Sequence, residues 1–393
     1  MKRENLLHFL FALGIIGFFL YSFTQIDLSL TLSKASVWQD IQKSFQHIGY
    51  FQRPLSTLIF LILTLFLFLI YSLYLKFSLA NKLTRKKVWY LIIFISIVLS
   101  FSYNAFSYDI FNNIFDAKIL TYYHQNPFIH KALDFPNDSM LSFMHWTHRT
   151  YPYGPMALIL TLPASFLGFN YFLPTFFLFK ILNAGFYLGT AYLIEKILQK
   201  ENKKTSLFGL TLFALNPLVI IESLISAHND IMMLFFATLG VYFLFTGKTF
   251  YSYFFILFSA LIKFVTAVLV IPFLLRSLPM SKKLATNIDS FASICLLFMG
   301  LATTFILTKL EIQPWYFLWF IPFLALLRPR TIIIFLTVGV SLGLLLRYTI
   351  FLYQGDWNGY APEFKLIVSL IIPLIFISFY FLRISAKKLL KIV

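Results

Sequence analysis

Residues Ser107 to Pro155 read SYDIFNNIFDAKILTYYHQNPFIHKALDFPNDSMLSFMHWTHRTYPYGP, the one long polar interval in an otherwise apolar chain. It carries Asp109, Asp116, Asp134 and Asp138, the histidines His124, His130, His145 and His148, and Arg149. Runs of membrane-spanning length flank it on both sides. Loops longer than about 12–15 residues are usually functional or disordered. The density of Tyr, Phe, Trp and Pro argues against disorder. The interval 107–154 therefore reads as the working face of a helical membrane protein.

Composition agrees. Of 393 residues, 60% are hydrophobic and only 12% charged, with a mean hydropathy of +0.82. Soluble domains carry about 25% charged residues. Apolar runs near the ~20 residues that cross a bilayer as a helix recur along the whole length. The alternating segments of a transmembrane β-barrel do not occur. The expected fold is an all-α polytopic membrane protein with about twelve transmembrane helices and a long exterior loop after the third. The first run follows Lys2 and Arg3 without a small-residue cleavage site, so it is expected to stay as a first span.

The net charge of +17 comes from 32 Lys and Arg against 15 Asp and Glu. The basic residues sit in short loops and near the C-terminus, where cytoplasmic retention and anionic lipid account for them. No basic soluble domain points to nucleic acid. The single cysteine, Cys295, lies in an apolar run and excludes an intrachain disulfide.

Candidate helices run over 6–23, 55–76, 88–105, 155–169, 171–195, 206–227, 230–246, 251–275, 288–308, 314–328, 331–352 and 364–384. The stretches 155–169 and 314–328 cover only about 22 Å at ~1.5 Å per residue and are expected to be broken or re-entrant. Three regions are expected: two added helices with an amphipathic connector (1–87), a central module that includes the loop 107–154 (88–330), and C-terminal helices with a basic tail (331–393). In the connector, Val37, Ile41, Phe45 and Ile48 recur at helical spacing, the pattern of a helix lying in the membrane surface.

Orientation follows the basic loops. Lys82, Arg85, Lys86 and Lys87 form the densest cluster. With Arg276, Lys282 and Lys283, then Arg328 and Arg330, then Arg383, Lys387, Lys388 and Lys391, it places both termini in the cytoplasm of a plasma-membrane protein. Lys196, Lys200, Lys203 and Lys204 fall on the wrong side of this count, so 155–195 is either less than two full spans or a local exception.

Asp109 and Asp116 are seven residues apart and share a face if the segment is helical. A carboxylate at a cavity mouth can serve as a general base, ligate a metal, or simply be solvated. His145 and His148 have an i, i+3 spacing, but no third ligand or HExxH pattern supports a zinc site, and no metal is assigned. Tyr151-Pro152-Tyr153-Gly154-Pro155 forms a rigid turn into a helix. At Asn216-Pro217 a proline interrupts a span. Glu222, Ser226, Asn229 and Asp230 would then form one polar stripe, and a carboxylate in hydrocarbon faces a cavity or a partner. Lys263 is its natural partner, through Glu222 or Asp230. Lys263 and Arg347 can hold phosphate or act as counter-ions. Trp315 and Tyr316, with Trp319, are either an interfacial aromatic belt or a stacking surface for a sugar or lipid headgroup.

Taken in order, these blocks resemble the GT-C glycosyltransferases, the bacterial and archaeal polyprenyl-phosphate-dependent mannosyltransferases. The resemblance rests on Asp109-Ile-Phe-Asn-Asn-Ile-Phe-Asp116-Ala-Lys118, Asn126-Pro127-Phe128 and Tyr151-Pro152. It continues through Asn216-Pro217-Leu218 with Glu222, Ala227-His228-Asn229-Asp230, Lys263 and Pro314-Trp315-Tyr316, over residues 88–330. Asn112-Asn113 stands where the family often has an arginine–tyrosine pair. The resemblance implies an inverting transfer of a hexose, mannose by likeness, from a polyprenyl-phosphate donor to a lipid- or glycan-linked acceptor. Asp109 would be the base and Asp116 the second choice. Lys118, Arg149 or Arg347 would neutralise the leaving phosphate; Tyr151, Tyr153, His228, Asn229, Asp230, Trp315 and Tyr316 would shape the pocket. The other class of reading is a lipid-linked-sugar flippase or other transporter using Glu222, Asp230 and Lys263. Such transporters often carry inverted repeats, and no such symmetry is visible here.

Overall fold

An apolar run in lipid satisfies its backbone most simply within its own helix. A computed structural model describes residues 3–201, 203–277 and 287–389, and among these the chain forms helices and turns but no strand. Lys2, Lys282, Lys283 and Lys391 lie outside the described residues, as do the side chains of Lys203, Lys204, Lys387 and Lys388.

The α-helices begin with α1 Arg3–Ser22, α2 Ser36–Gln46, α3 Arg53–Leu79, α4 Arg85–Ser100, α5 Asp109–Thr121 and α6 Pro155–Leu167. Next come α7 Phe172–Gln199, α8 Lys203–Ala214, α9 Pro217–Ile220, α10 Asp230–Phe245, α11 Thr249–Ala260 and α12 Val270–Ser277. The last are α13 Ile288–Leu307, α14 Ile321–Leu326, α15 Thr331–Leu345, α16 Tyr348–Gln354 and α17 Ala361–Leu389. Among the described residues six helical segments are long and apolar enough to cross a membrane, and a seventh if a pair bent by 51° is one span. The protein is a helical membrane protein.

Contacts sort the turns of the chain into two ends. At one end the Arg85 guanidinium meets Glu195 at 2.7 Å, Lys87 meets Glu4 at 3.2 Å, and Lys200 donates to Phe245 O at 3.3 Å. The same end holds Ile288 N on Glu201 at 2.7 Å and Arg328 N on Asp289 at 2.6 Å. The other end gathers Asp109, His228, Lys263, Trp315 and Tyr348.

This sorting changes two of the expected spans. Helix α6 starts where Gly154 N donates to Ile262 O at 3.1 Å, and the chain re-enters α7 beside Phe111 and Phe143. Both its ends therefore lie at the second end, and α6 pairs with α5 through Thr121 and Ser165, 2.8 Å apart. The expected helix 251–275 is instead two segments, α11 and a 3-10 turn Phe264–Leu269 running into α12, reversing at Leu261–Lys263. The first change brings Lys196 and Lys200 to the same end as Arg85. The second brings His228 and Trp315 to one end.

The bent pair shows how a span is broken without orphaning its backbone. Pro217 supplies no N–H, and the preceding residue is pushed out of helical geometry. Asn216 caps the restart, its Oδ1 accepting from Leu218 N at 2.9 Å, while its Nδ2 donates to Ser341 Oγ at 3.0 Å. The freed carbonyls find hydroxyls: Tyr71 donates to Leu212 O at 2.8 Å, and Tyr187 donates to Ala214 O. A π turn, Ile221–Ile225, ends the second half. The anticipated stripe from Glu222 to Asp230 is therefore not one helix; Ala227, at φ 54, reverses the chain before α10 begins.

Helix α2 forms as its spacing predicts. Val37 and Ile41 are exposed, while Gln42 and Gln46 are buried and donate to Leu30 O at 2.7 Å and Ile26 O at 3.2 Å. Val37 and Ile41 therefore face away from the protein, while Phe45 and Ile48 are half-buried and Phe45 packs against Phe23.

Candidate active site

Helix α5 begins at Asp109 because Ser107 and Asn104 order the approach: Asp109 N donates to Ser107 Oγ at 3.2 Å and Asn104 Nδ2 to Ser107 O at 2.6 Å. A carboxylate at a helix N-terminus is favoured by the unpaired N–H groups there. The side chain faces a cavity of about 820 Å³ whose wall also holds His145, Arg149, Tyr153, Trp315, Arg347, Tyr348 and Lys365.

Behind Asp109 stands a charge chain. His228 Nδ1 lies 3.4 Å from Asp109 Oδ2, and its Nε2 lies 3.2 Å from Glu222 Oε2. The second contact has ion-pair distance without hydrogen-bond alignment, since neither Nε2 nor Oε2 has a hydrogen-bond partner. Tyr348 O–H donates to the other Glu222 oxygen at 2.9 Å. Burial would push the imidazole pKa down, but Asp109 and Glu222 outweigh it and hold it at about 9. His228 is thus an imidazolium between two carboxylates. Burial pushes Asp109 up in turn, yet His228, Lys263 and Arg149 leave it below its ordinary value.

A second pair lies behind Tyr153 of the cavity wall. Lys263 Nζ lies 2.6 Å from Asp230 Oδ2 and over the Tyr153 ring at 4.8 Å, while Trp319 Nε1 donates to Asp230 Oδ1 at 2.7 Å. Of the two partners the sequence offered to Lys263, Asp230 is the one it contacts.

The remaining candidates divide. Asp116 is buried two turns along α5 and does not line the cavity; burial raises its pKa to about 7 against the partial offset of Arg149. Lys118 is drawn away, paired with Asp138 at 2.5 Å. Tyr151 is buried with its N–H on Pro127 O at 2.9 Å. Asn229 precedes α10 and lines a small enclosed pocket with Asn113 and Asn183. Tyr316 stacks on Trp319, ring centroids 4.6 Å apart, rather than on the cavity wall. Arg347 lines the cavity but also holds Glu311 at 2.5 Å, with Lys365 on the same carboxylate at 2.8 Å. His145 stacks on Tyr108 at 3.8 Å, and among the described residues no three His, Cys, Asp or Glu side chains converge as a metal site.

Tyr348, Glu311, Lys365 and Lys180 also take part in or support the site and are not among the residues that the sequence motifs mark. Tyr348, Glu311 and Lys365 have ordinary local contexts and become notable only by contact. Lys180 could have been found: a charge inside an apolar run marks a functional or pairing role by default.

Helical spans meet at a cavity with a carboxylate and several cations on its wall and a buried imidazolium behind that carboxylate, an arrangement suited to the site of an integral membrane enzyme. The chain belongs to the alpha-(1->6)-mannopyranosyltransferase family: the N-terminal domain of that family matches residues 11–278. No curated protein and no solved structure matches the chain. It is accordingly a mannosyltransferase of the GT-C kind, and the match begins within α1 and extends past α12.

Proposed function

We propose that the enzyme transfers a mannosyl group from a polyprenyl-phosphate donor to a hydroxyl of a lipid- or glycan-linked acceptor, by one inverting displacement with Asp109 as general base. The observation that carries this reading is the position of Asp109, an ionised carboxylate facing an 820 Å³ cavity with arginines on its wall. The acceptor hydroxyl attacks C1 of the donor sugar as Asp109 takes its proton. The bond from C1 to the phosphate oxygen breaks, and polyprenyl phosphate leaves. Inversion to an alpha linkage requires a beta-linked donor. Charge developing on the phosphate is stabilised by Arg149 and Arg347, cations already in place on the cavity wall. Trp315 offers a flat surface to the sugar, and Tyr153, backed by the Lys263–Asp230 pair, lines the same cavity.

In this reading the site end faces the exterior of the plasma membrane, both termini are cytoplasmic, and the shorter apolar helices complete about twelve crossings. The donor's lipid chain and the surrounding membrane lipids lie against the outer helix faces. The test is transfer of tritiated mannose from polyprenyl-phosphate mannose to an alkyl α-mannoside by the purified full-length enzyme. Asp109→Asn should lower kcat by about a thousandfold or more with the donor KM nearly unchanged. Full activity in that variant would remove Asp109 as the base.

A further inference from the structure

We propose that Lys180 is a positioning residue for this reaction: it clamps together the two chain segments that present Asp109 and His228 to each other. The inference rests on the reading of Asp109 as the base.

Lys180 sits in the first half of α7 and is only 1% exposed. Among the described residues it has no carboxylate partner; its ammonium donates to Ser102 Oγ at 2.9 Å, to Ile225 O at 2.9 Å and to Leu224 O. An ammonium has three N–H donors and no acceptor. All three are used, which is what allows a lysine to remain buried without a counter-charge.

The identity of those acceptors gives the clamp its meaning. Ser102 lies just past α4 and itself donates to Leu99 O at 2.7 Å, anchoring the stretch that leads into Asp109. Leu224 and Ile225 close the π turn that leads into His228. One turn further along α7, Asn183 Nδ2 donates to Ala227 O at 2.9 Å, holding the reversed residue next to His228. Asp109 and His228 are far apart in the chain, so their 3.4 Å contact depends on where these two approaches are set. Lys180 is bonded to both.

The test uses the same transfer assay on the full-length enzyme, with Lys180→Met, Lys180→Arg, Ser102→Ala and Asp109→Asn, read as kcat, donor KM and pH profile. The profile's acid limb belongs to Asp109, which faces His228, Arg149, Lys263 and Tyr153, with His145 on the same cavity wall and Glu222 behind His228. Lys180→Met should lower kcat by about a hundredfold at nearly constant KM, since small misplacements cost that much. Loosening His228 from Asp109 should also raise the acid limb by about half a unit. Ser102→Ala should shift both in the same direction by less, and Lys180→Arg should recover part of the loss. A folded Lys180→Met enzyme with wild-type kcat and acid limb would overturn the proposal. If that variant does not fold, wild-type values in Ser102→Ala overturn it instead. An active Asp109→Asn would remove the underlying reading, whereas an inactive one beside unchanged clamp variants removes only the role of Lys180.

Discussion

Trp315 packs against His228 with ring centroids 4.3 Å apart and planes tilted by 31°. Among the described residues four α-helices separate them in the chain, and their meeting depends on the reversal at Leu261–Lys263. An indole over an imidazolium is a cation–π arrangement, favourable when desolvated. It holds the imidazole ring between Asp109 and Glu222.

His228→Gln removes the cation between those two carboxylates. Asp109 then keeps its burial but loses the largest offset to it, so its pKa rises. Activity that depends on the carboxylate should fall about a hundredfold near neutrality as the base loses its positioning partner. The acid limb of kcat/KM should move to higher pH. A pH–rate profile checks both, and an unmoved limb would show that His228 does not set the charge state of Asp109.

Asp116 should behave oppositely to Asp109. Its folded pKa of about 7 lies above the ordinary carboxylate value of 3.8, so its ionisation opposes folding. No cost exists below the unfolded pKa; the cost grows as pH rises between the two values and is complete above the folded one. Asp116→Asn should therefore raise the thermal midpoint at pH 8, leave it unchanged near pH 4, and keep kcat within about tenfold of wild type. A thermal-shift series in detergent decides; a lower midpoint at pH 8 would mean the ionised group has a stabilising partner.

Lys118→Met tests whether that lysine serves the donor or the loop. Its pairing with Asp138 also involves Tyr123 O–H at 2.7 Å and Met140 N at 2.9 Å on the same carboxylate. Burial raises the Asp138 pKa, but Lys118 and these hydrogen bonds outweigh it and leave it lowered. That stabilisation is present above the unfolded carboxylate pKa and is lost as pH falls through the folded one. The substitution should cost about 1–3 kcal/mol of stability while leaving donor KM unchanged. A raised donor KM in the folded variant would return Lys118 to the phosphate.

Gly154→Ala should couple the loop to the site. A Cβ at Gly154 would stand 2.0 Å from Leu261 O, inside any allowed contact. The displaced backbone carries Lys263 two residues later. Overpacking of this kind costs about 1–3 kcal/mol. Transfer activity of the surviving folded enzyme should also fall, and normal stability with normal kcat would count against the docking of this turn on Leu261.

By itself, the sequence determined the helical membrane architecture, because hydropathy and length leave an apolar chain few other ways to satisfy its backbone. It also marked Glu222, Asp230 and Lys263, since charges among apolar runs are costly enough to stand out, and Asp109 and His228 through the polar loop and the order of the motifs. The break at Asn216-Pro217 was legible for the same local reason. The tertiary structure alone decided partnership. Lys263 chose Asp230 over Glu222, Lys118 turned to Asp138, and Lys180 bridged two approaches, because distances between side chains depend on how helices pack rather than on spacing along the chain. It also decided the path of the chain between its two ends. A thirteen-residue apolar stretch and a hidden reversal read alike in hydropathy, and only contacts tell whether a helix crosses or returns.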